Sequence, residues 1–322
     1  AGYDKTAFEK MLEIKGDSDH TKLIDMLTDL NDYSIGIEDV LKEHFDEENI
    51  VYWMAFQILM GNVDTQNRNV YLYSPLNSDI WYFIAWDNDG CLMRPEYELR
   101  NFSDQNSWEK GISNYWGNIL FQRCLKSRSF REKLNDAILD LREYLNKDML
   151  TSKIESYKNV LKPYLYLMPD AEYEPLTSEQ YDQIAASLPD EIEKNYQLYL
   201  ESLETPMPFY IGVPTIDGDK LKFNWDVSYD LDAEDITYSV EVAGDYLFRD
   251  VIYQNTTLTV PEAEMDLPKA GQYFVRVRAT NTSGKTQDAF DYYVTDEGKY
   301  YGMRCFYITE DSTVEEDDYE EG

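Results

Sequence analysis

Hydrophobic positions along the first two thirds of the chain recur at helical spacing. Leu23, Met26, Leu27 and Leu30 fall on one face of a predicted helix. Residues 51–60 are apolar nearly all round, which predicts a helix buried on every side, and Gly61 and Asn62 follow as a helix end. Further helices are predicted over about 118–144, 152–164 and 178–204, with Pro163 and Pro189 interrupting or starting them. Beyond Pro206 the period changes to two. Leu221, Phe223, Trp225 and Val227 alternate with polar residues, as do Ile236, Tyr238, Val240 and Val242, and then Tyr273, Val275 and Val277. Turn signals with glycine separate these runs, and short strands so spaced predict an antiparallel sandwich. An apolar stretch over 300–308 is placed to add a strand. The acids that follow, from Glu310 to Glu321 with no base among them, predict a solvated tail or linker.

The stretch 61–90 carries the candidate chemistry. A buried helix runs into a polar loop from Asp64 to Asn69, a short strand follows over 70–73, Pro75 to Asp79 turn the chain, and a more apolar strand returns over 80–86. Asp87, Asn88, Asp89 and Gly90 close the unit. If the strands pair as a hairpin, Asn69 and Asp87 sit at its open end, on neighbouring strands about 4.8 Å apart, with Asp64 on the loop beside them. Oxygen ligands gathered in this way suit Mg²⁺, which takes one or two carboxylates together with phosphate oxygens. The order also fits phosphoryl transfer. An Asp, an Asn five residues on and an Asp after a hairpin is the protein-kinase sequence of parts, with the first acid orienting the acceptor hydroxyl and the others holding the metal. The spacing alone is equally that of an Asx-turn loop with surface carboxylates, and the helix–loop–hairpin context is what favours the kinase reading. A pair of acids could also serve a glycosidase, given a spacing of about 5–9.5 Å in an open aromatic groove.

Composition narrows the partners. The 322 residues carry 63 acids against 29 Lys and Arg, a formal charge of −34, which argues against nucleic-acid binding and against an anionic membrane surface. No apolar run approaches the ~20 residues of a membrane span, so no membrane insertion is expected. Cys91, Cys124 and Cys305 are too few and too scattered for a disulfide framework or a zinc site. The two histidines, His20 and His44, lie near no nucleophile motif. Arg94 and Arg100 follow the acids and are either phosphate contacts or surface residues, and Asn101, Asn255 and Asn281 stand in glycosylation-type triplets.

Two family resemblances follow from quoted residues. Trp53, the run Leu59-Met-Gly-Asn-Val-Asp64, Asn69-Val-Tyr-Leu-Tyr73 and Trp86-Asp-Asn-Asp89 resemble the spore coat protein H (CotH) kinase family of secreted atypical protein kinases, over about 1–205. The resemblance implies Asp64 as the catalytic aspartate and Asn69, Asp87 and Asp89 as metal residues. It implies ATP with Mg²⁺ or Mn²⁺ as cofactors, Ser/Thr of spore-coat or cell-surface proteins as acceptor, and an extracellular, cell-surface or spore-coat location. The family's nucleotide lobe, with its covering loop and phosphate-pairing Lys, has no counterpart pattern around Lys5, Lys10 and Lys15, so the expectation is an incomplete kinase. The second resemblance lies in 266–284, where Leu267, Gly271, Tyr273, Ala279, Asn281 and Gly284 are spaced like the late strands of a fibronectin type III domain. It implies Tyr273 as a corner tyrosine bonded back to backbone and Trp225 as a core tryptophan. The expected architecture is therefore α+β and multidomain. A mainly helical kinase-like C-terminal lobe with a β-hairpin occupies 1–205, a fibronectin III-like sandwich 206–298, and an acidic tail or linker 299–322. The competing function is a non-catalytic surface, coat-assembly or adhesion module that binds a protein partner, and the sequence leaves open whether the chain is an enzyme.

Overall fold

A computed structural model describes residues 19–65, 69–99, 108–295 and 298–316. Lys5, Lys10, Lys15, Arg100 and Asn101 lie outside them. The chain is a mixed helix-and-sheet protein with a helical first part and an all-β second part.

The helical part is built around one helix. Helices α1 (Thr21–Asn31) and α2 (Ile37–His44) lead into α3 (Glu47–Met60). The Asp46 side chain caps α3 by accepting from the Asn49 N–H, and Glu47 and Glu48 favour the same end through the helix dipole. As its apolar composition requires, α3 is buried on almost every side: Ile50, Trp53, Met54, Ala55, Ile58 and Leu59 all belong to the core. Gly61 ends it at φ +60, the left-handed cap that glycine permits. An added Cβ there would lie 2.7 Å from Asn195 Nδ2. After the short α4 (Arg94–Leu99), helices α5 (Ile119–Lys126), α6 (Arg128–Tyr144), α7 (Lys147–Leu165) and α8 (Ser178–Leu203) complete this part, with α6 and α8 packed on α3. The helical stretch expected over 118–144 is present as two helices. Ser127 ends α5 and caps α6, its hydroxyl accepting from the Phe130 N–H, a local bond that competes with continuing the helix. Pro163 and Pro189 lie inside α7 and α8 and do not interrupt them. In α8 the packing against α3 and α7 outweighs one missing backbone bond.

The expected hairpin is present. Strands β1 (Tyr71–Tyr73) and β2 (Tyr82–Ile84) pair antiparallel, Tyr71 opposite Ile84 and Tyr73 opposite Tyr82. Alternation sends Phe83 inward, where its ring lies 4.7 Å from that of Trp53 and 5.8 Å from that of Phe121. Polar contacts fix the hairpin's height on α3. The Asn49 amide exchanges two bonds with the Phe83 backbone, at 2.7 and 3.2 Å, and the Trp81 N–H donates to the His44 carbonyl. At the far turn, Lys22 of α1 donates to the carbonyls of Pro75 and Ser78.

The β part has two sheets over one core. One has the order β3 (Thr215–Asp217), β4 (Lys220–Asn224), β7 (Glu262–Asp266). The other runs β13 (Val314–Glu316), β12 (Met303–Ile308), β8 (Gly271–Asn281), β5 (Ile236–Ala243), β6 (Val251–Leu258), with β9 (Thr286–Asp288) also on β8. Leu221, Phe223, Tyr238, Val240, Val242, Val275 and Val277 face the core as their alternation predicts, and Trp225 is buried among them. Val227 is exposed, because the strand ends at Asn224 and the chain has left the sheet. The Tyr273 hydroxyl donates to the Lys269 carbonyl at 2.9 Å, the backbone tie expected of it. The apolar stretch over 300–308 does add a strand: β12 pairs with β8 along six residues, and Phe306 and Ile308 are core. Strand β13 then pairs with β12, so residues 299–316 belong to the β part rather than to a tail. A small outer hairpin, β10 (Tyr292–Thr295) and β11 (Gly298–Tyr301), lies between.

The two parts meet through aromatic rings. Trp108 packs edge-on against Phe290 and Tyr301, and Trp116 stacks on Tyr229 at 5.5 Å with the Lys126 ammonium over both rings. Asn281 is buried, its amide donating to Asp230 and to the Glu204 carbonyl at the end of α8, which removes it as a modification site; Asn255 lies in the exposed strand β6.

Candidate functional site

All four residues singled out by sequence lie at the open end of the β1–β2 hairpin. Asp64 sits in a single 3₁₀ turn (Val63–Thr65) directly after the α3 cap. Asn69 precedes β1, and its Nδ2 donates to Asp64 Oδ2 at 2.7 Å. That bond uses the amide's donor side and leaves Asn69 Oδ1 as an oxygen ligand. Asp87 follows β2 and starts a second 3₁₀ turn (Asn88–Gly90) that carries Asp89. The two acid-bearing turns touch: a Cβ built on Gly90 would lie 3.5 Å from Asp64 Cβ and 2.9 Å from Asn62 Oδ1, so only glycine fits there without displacing a neighbour.

Electrostatics confirm the crowding. The Asp87 carboxyl is raised above its ordinary value, first by the Asp89 charge beside it and then by loss of solvent, a hydrogen bond with Asp89 and the Asp64 charge. Among the described residues no Lys or Arg forms an ion pair with Asp64, Asp87 or Asp89. Backbone conformation adds to the cost. Asn69 (φ +53), Asp87 (φ +50) and Leu92 (φ +57) all adopt the left-handed region, which is disfavoured by about 1–2 kcal/mol for residues with a Cβ and is more tolerable for Asn and Asp. Such conformations persist where surrounding contacts over-determine them.

Those contacts come from residues that the sequence reading passed over. Gln57 and Asn62 are fully or nearly fully buried. Asn62 Nδ2 donates to Gln57 Oε1 at 3.0 Å, Gln57 Nε2 donates to Asn88 Oδ1 at 3.0 Å, and Asn62 Oδ1 accepts from the Asp64 N–H at 3.2 Å. The Asn62 carbonyl accepts from the Thr65 and Tyr115 hydroxyls, and the Leu92 N–H donates to the Met60 carbonyl at 2.8 Å. The signal available in the sequence was Gln57 itself, an uncharged polar residue in the middle of an apolar helix.

Other candidates are held by their own partners. Arg94 donates to Glu191 at 3.1 Å and to Asn195 at 2.6 Å, both buried on α8, and so is not the surface residue considered from sequence. Burial pushes the Cys91 thiol up to about 12, which makes it unreactive, and Cys124 and Cys305 are buried free thiols. His44 is buried and bonded to Asp29 at 2.7 Å.

The donor set fits a hard cation. Every side chain offers oxygen donors, and a cation there would relieve the repulsion that raises Asp87. Among the described residues no group of three or more His, Cys, Asp or Glu is placed to hold a metal ion by itself.

An acid-bearing loop followed by a hairpin that ends in a second acid is the frame of a phosphotransferase site. The family description "CotH kinase protein" matches residues 2–199, more than half of the sequence, and the chain belongs to that family. No curated protein matches it. Among solved structures it is similar to surface layer protein SbsC, domains 1–6, at 11% identity, covering 98% of this chain and 42% of that one. The chain thus spans less than half of that structure's length, and the TM-score of 0.17 is too low to carry an argument. Among the described residues no helix is long and apolar enough to cross a membrane.

Proposed function

We propose that the chain is the acid-bearing part of a CotH-type protein kinase that transfers the ATP γ-phosphate to Ser or Thr of a protein at the cell surface or spore coat. The observation that carries this reading is the convergence of Asp64, Asn69, Asp87 and Asp89 at the hairpin's open end. Asp64, held by Asn69, orients the acceptor hydroxyl and takes its proton. Asn69 and Asp87, with Asp89 beside them, hold the metal. Mg²⁺ or Mn²⁺ supplies charge neutralisation of the phosphates when bound. The exposed rings of Tyr71 and Trp86, 4.9 Å apart at the same end, offer an apolar surface beside these acids for a nucleotide base. The β part is read as a fibronectin type III-like module that presents the kinase part to its partner; the Tyr273 tie and the buried Trp225 support that reading.

Thermal unfolding of the full chain with and without Mg²⁺–ATP tests the proposal. A ligand at a hundredfold excess over Kd stabilises by about 2.7 kcal/mol. The expected result is a rise in Tm for the wild type that vanishes in Asp87→Ala, with phosphate transfer from labelled ATP lost in Asp64→Asn while the Mg²⁺–ATP shift is retained. A shift that survives Asp87→Ala would move the nucleotide elsewhere. No shift at millimolar ligand would favour the non-catalytic surface-module reading.

A further inference from the structure

We infer that the buried amides Gln57 and Asn62 are positioning residues that, through Asn88, lock the Asp64 turn and the Asp87–Asp89 turn into one rigid unit and so set the distance between the two groups of acids. The inference rests on the kinase reading only for its consequence in metal binding; the coupling itself is a property of the chain.

The orientation of the network follows from chemistry. A backbone N–H can only donate, so the Asn62 atom facing the Asp64 N–H is the oxygen. Asn62 Nδ2 is then directed at Gln57, whose facing atom must be Oε1, and Gln57 Nε2 in turn requires an acceptor, which Asn88 Oδ1 provides. A longer contact, 3.4 Å, also links Asn62 Nδ2 to Asn88 Oδ1. One backbone donor thus dictates every amide in the chain of bonds, and no member can flip without leaving a buried group unpaired. Such a loss costs about 1–3 kcal/mol, against 0.5–1.5 kcal/mol for an ordinary bond.

The placement explains why these residues are polar at all. Gln57 is fully buried on α3, where an aliphatic side chain would pack at no hydrogen-bonding cost. Its two ends instead face one partner in each acid-bearing turn. The turns, 63–65 and 87–90, are far apart in sequence, share no backbone hydrogen bond with each other among the described residues, the nearest such tie being Leu92 to Met60, and carry like charges that push them apart. The amides oppose that repulsion without adding charge, leaving the acids available to a cation. A lysine in the same place would hold the turns as well but would occupy the site electrostatically.

Hydrogen exchange on the full chain tests the coupling. Gln57→Met keeps the side chain's length and burial and removes both bonds. Amides of 62–65 and 87–92 are expected to exchange about tenfold faster, together, with α6 and the β part unchanged. Asn88→Ala, at a partly exposed position, is the second variant if Gln57→Met does not fold. It is expected to loosen 62–65 although it alters only the other turn. Loosening of one turn alone, no change in either, or uniform acceleration throughout the protein would overturn the inference. Mn²⁺ titration followed by electron paramagnetic resonance adds the consequence. Affinity about tenfold weaker in both variants at temperatures where they are folded supports a positioning role, and equal affinity overturns it. If the wild type binds no Mn²⁺, the functional reading falls, and the exchange data still decide the coupling.

Discussion

The acid-bearing hairpin of the helical part and the turns of the β part use the same disfavoured backbone in opposite ways. Ala233, Phe248 and Ser312 have positive φ, and each sits in a turn closed by its own local backbone bond, to Asp230, Asp245 and Thr309. Asn69, Asp87 and Leu92 have positive φ and are held from a distance, by Asp64, by the fit of Gly90 against Asn62, and by Met60. Charge divides the same way. In the β part Asp217 and Asp266 are lowered by hydrogen bonds from Lys222 and Lys220, whereas Asp87 is raised by Asp89. Local strain and paired charge make a scaffold. Strain imposed by tertiary contacts, around charges of one sign, sets the hairpin's open end apart from that scaffold.

The largest effects test whether the two regions are one folding unit. Glu191→Ala removes the buried carboxylate partner of Arg94 and leaves it Asn195, so about 2–4 kcal/mol is expected. Asp291→Ala strips the Ile211 N–H of its acceptor in the β part, but Arg304 keeps Glu316, so about 2–3 kcal/mol is expected. Calorimetry checks both. The aromatic contacts across the boundary predict that either variant lowers one shared transition. Two transitions, each moved by one variant only, would separate the regions. A smaller effect is expected at glycines. Gly90→Ala pushes a methyl to 2.9 Å from Asn62 Oδ1 and should cost about 1–2 kcal/mol and abolish stabilisation by Mg²⁺–ATP. Gly218→Ala meets only open space, so its positive φ alone should cost about 1 kcal/mol and leave that stabilisation intact. Equal loss of ligand response in both would break the comparison.

How much of this was readable from sequence depends on the range of the interaction. Leu23 to Leu30, residues 51–60 and the strands around Val240 and Val275 follow from periodicity, because one buried face dictates the pattern. The hairpin, and the gathering of Asp64, Asn69, Asp87 and Asp89 at its open end, were legible because a short turn between strands brings its ends together whatever surrounds it. Ser127 was not, since a one-residue helix break is a choice between local hydrogen bonds. Nor was the assignment of 299–316, where a tail-like composition hides β12 and β13. The acids of that segment fall on exposed positions, while Phe306 and Ile308 fill the core. Arg94 and the Gln57–Asn62 pair were missed for a third reason. Their partners, Glu191 and Asn88, are distant in sequence, and only Gln57, set in the middle of an apolar helix, carried a local mark of facing inward.

The smallest effect is the most diagnostic, because its sign is reversed between Asp87 and the lysine-paired Asp217 and Asp266. Asp217 and Asp266 have folded values below their unfolded ones, so their contribution is present above the unfolded value and is lost as pH falls through the folded one. Asp87 has a folded value above its unfolded one. Between the two the folded state holds more protons, so its contribution is present at low pH and is lost as pH rises through the folded value. Asp87→Asn should therefore leave stability unchanged in acid and raise Tm slightly at neutral pH, where the wild-type charge is repelled by Asp89 and Asp64. Adding Mg²⁺ should reverse the order, stabilising the wild type and not the variant. Thermal melts of both proteins from pH 3 to 7, with and without Mg²⁺, measure this. A variant less stable than wild type at neutral pH without metal would mean that the acids are held by contacts stronger than their repulsion, and that the site is a structural turn rather than one poised for a cation.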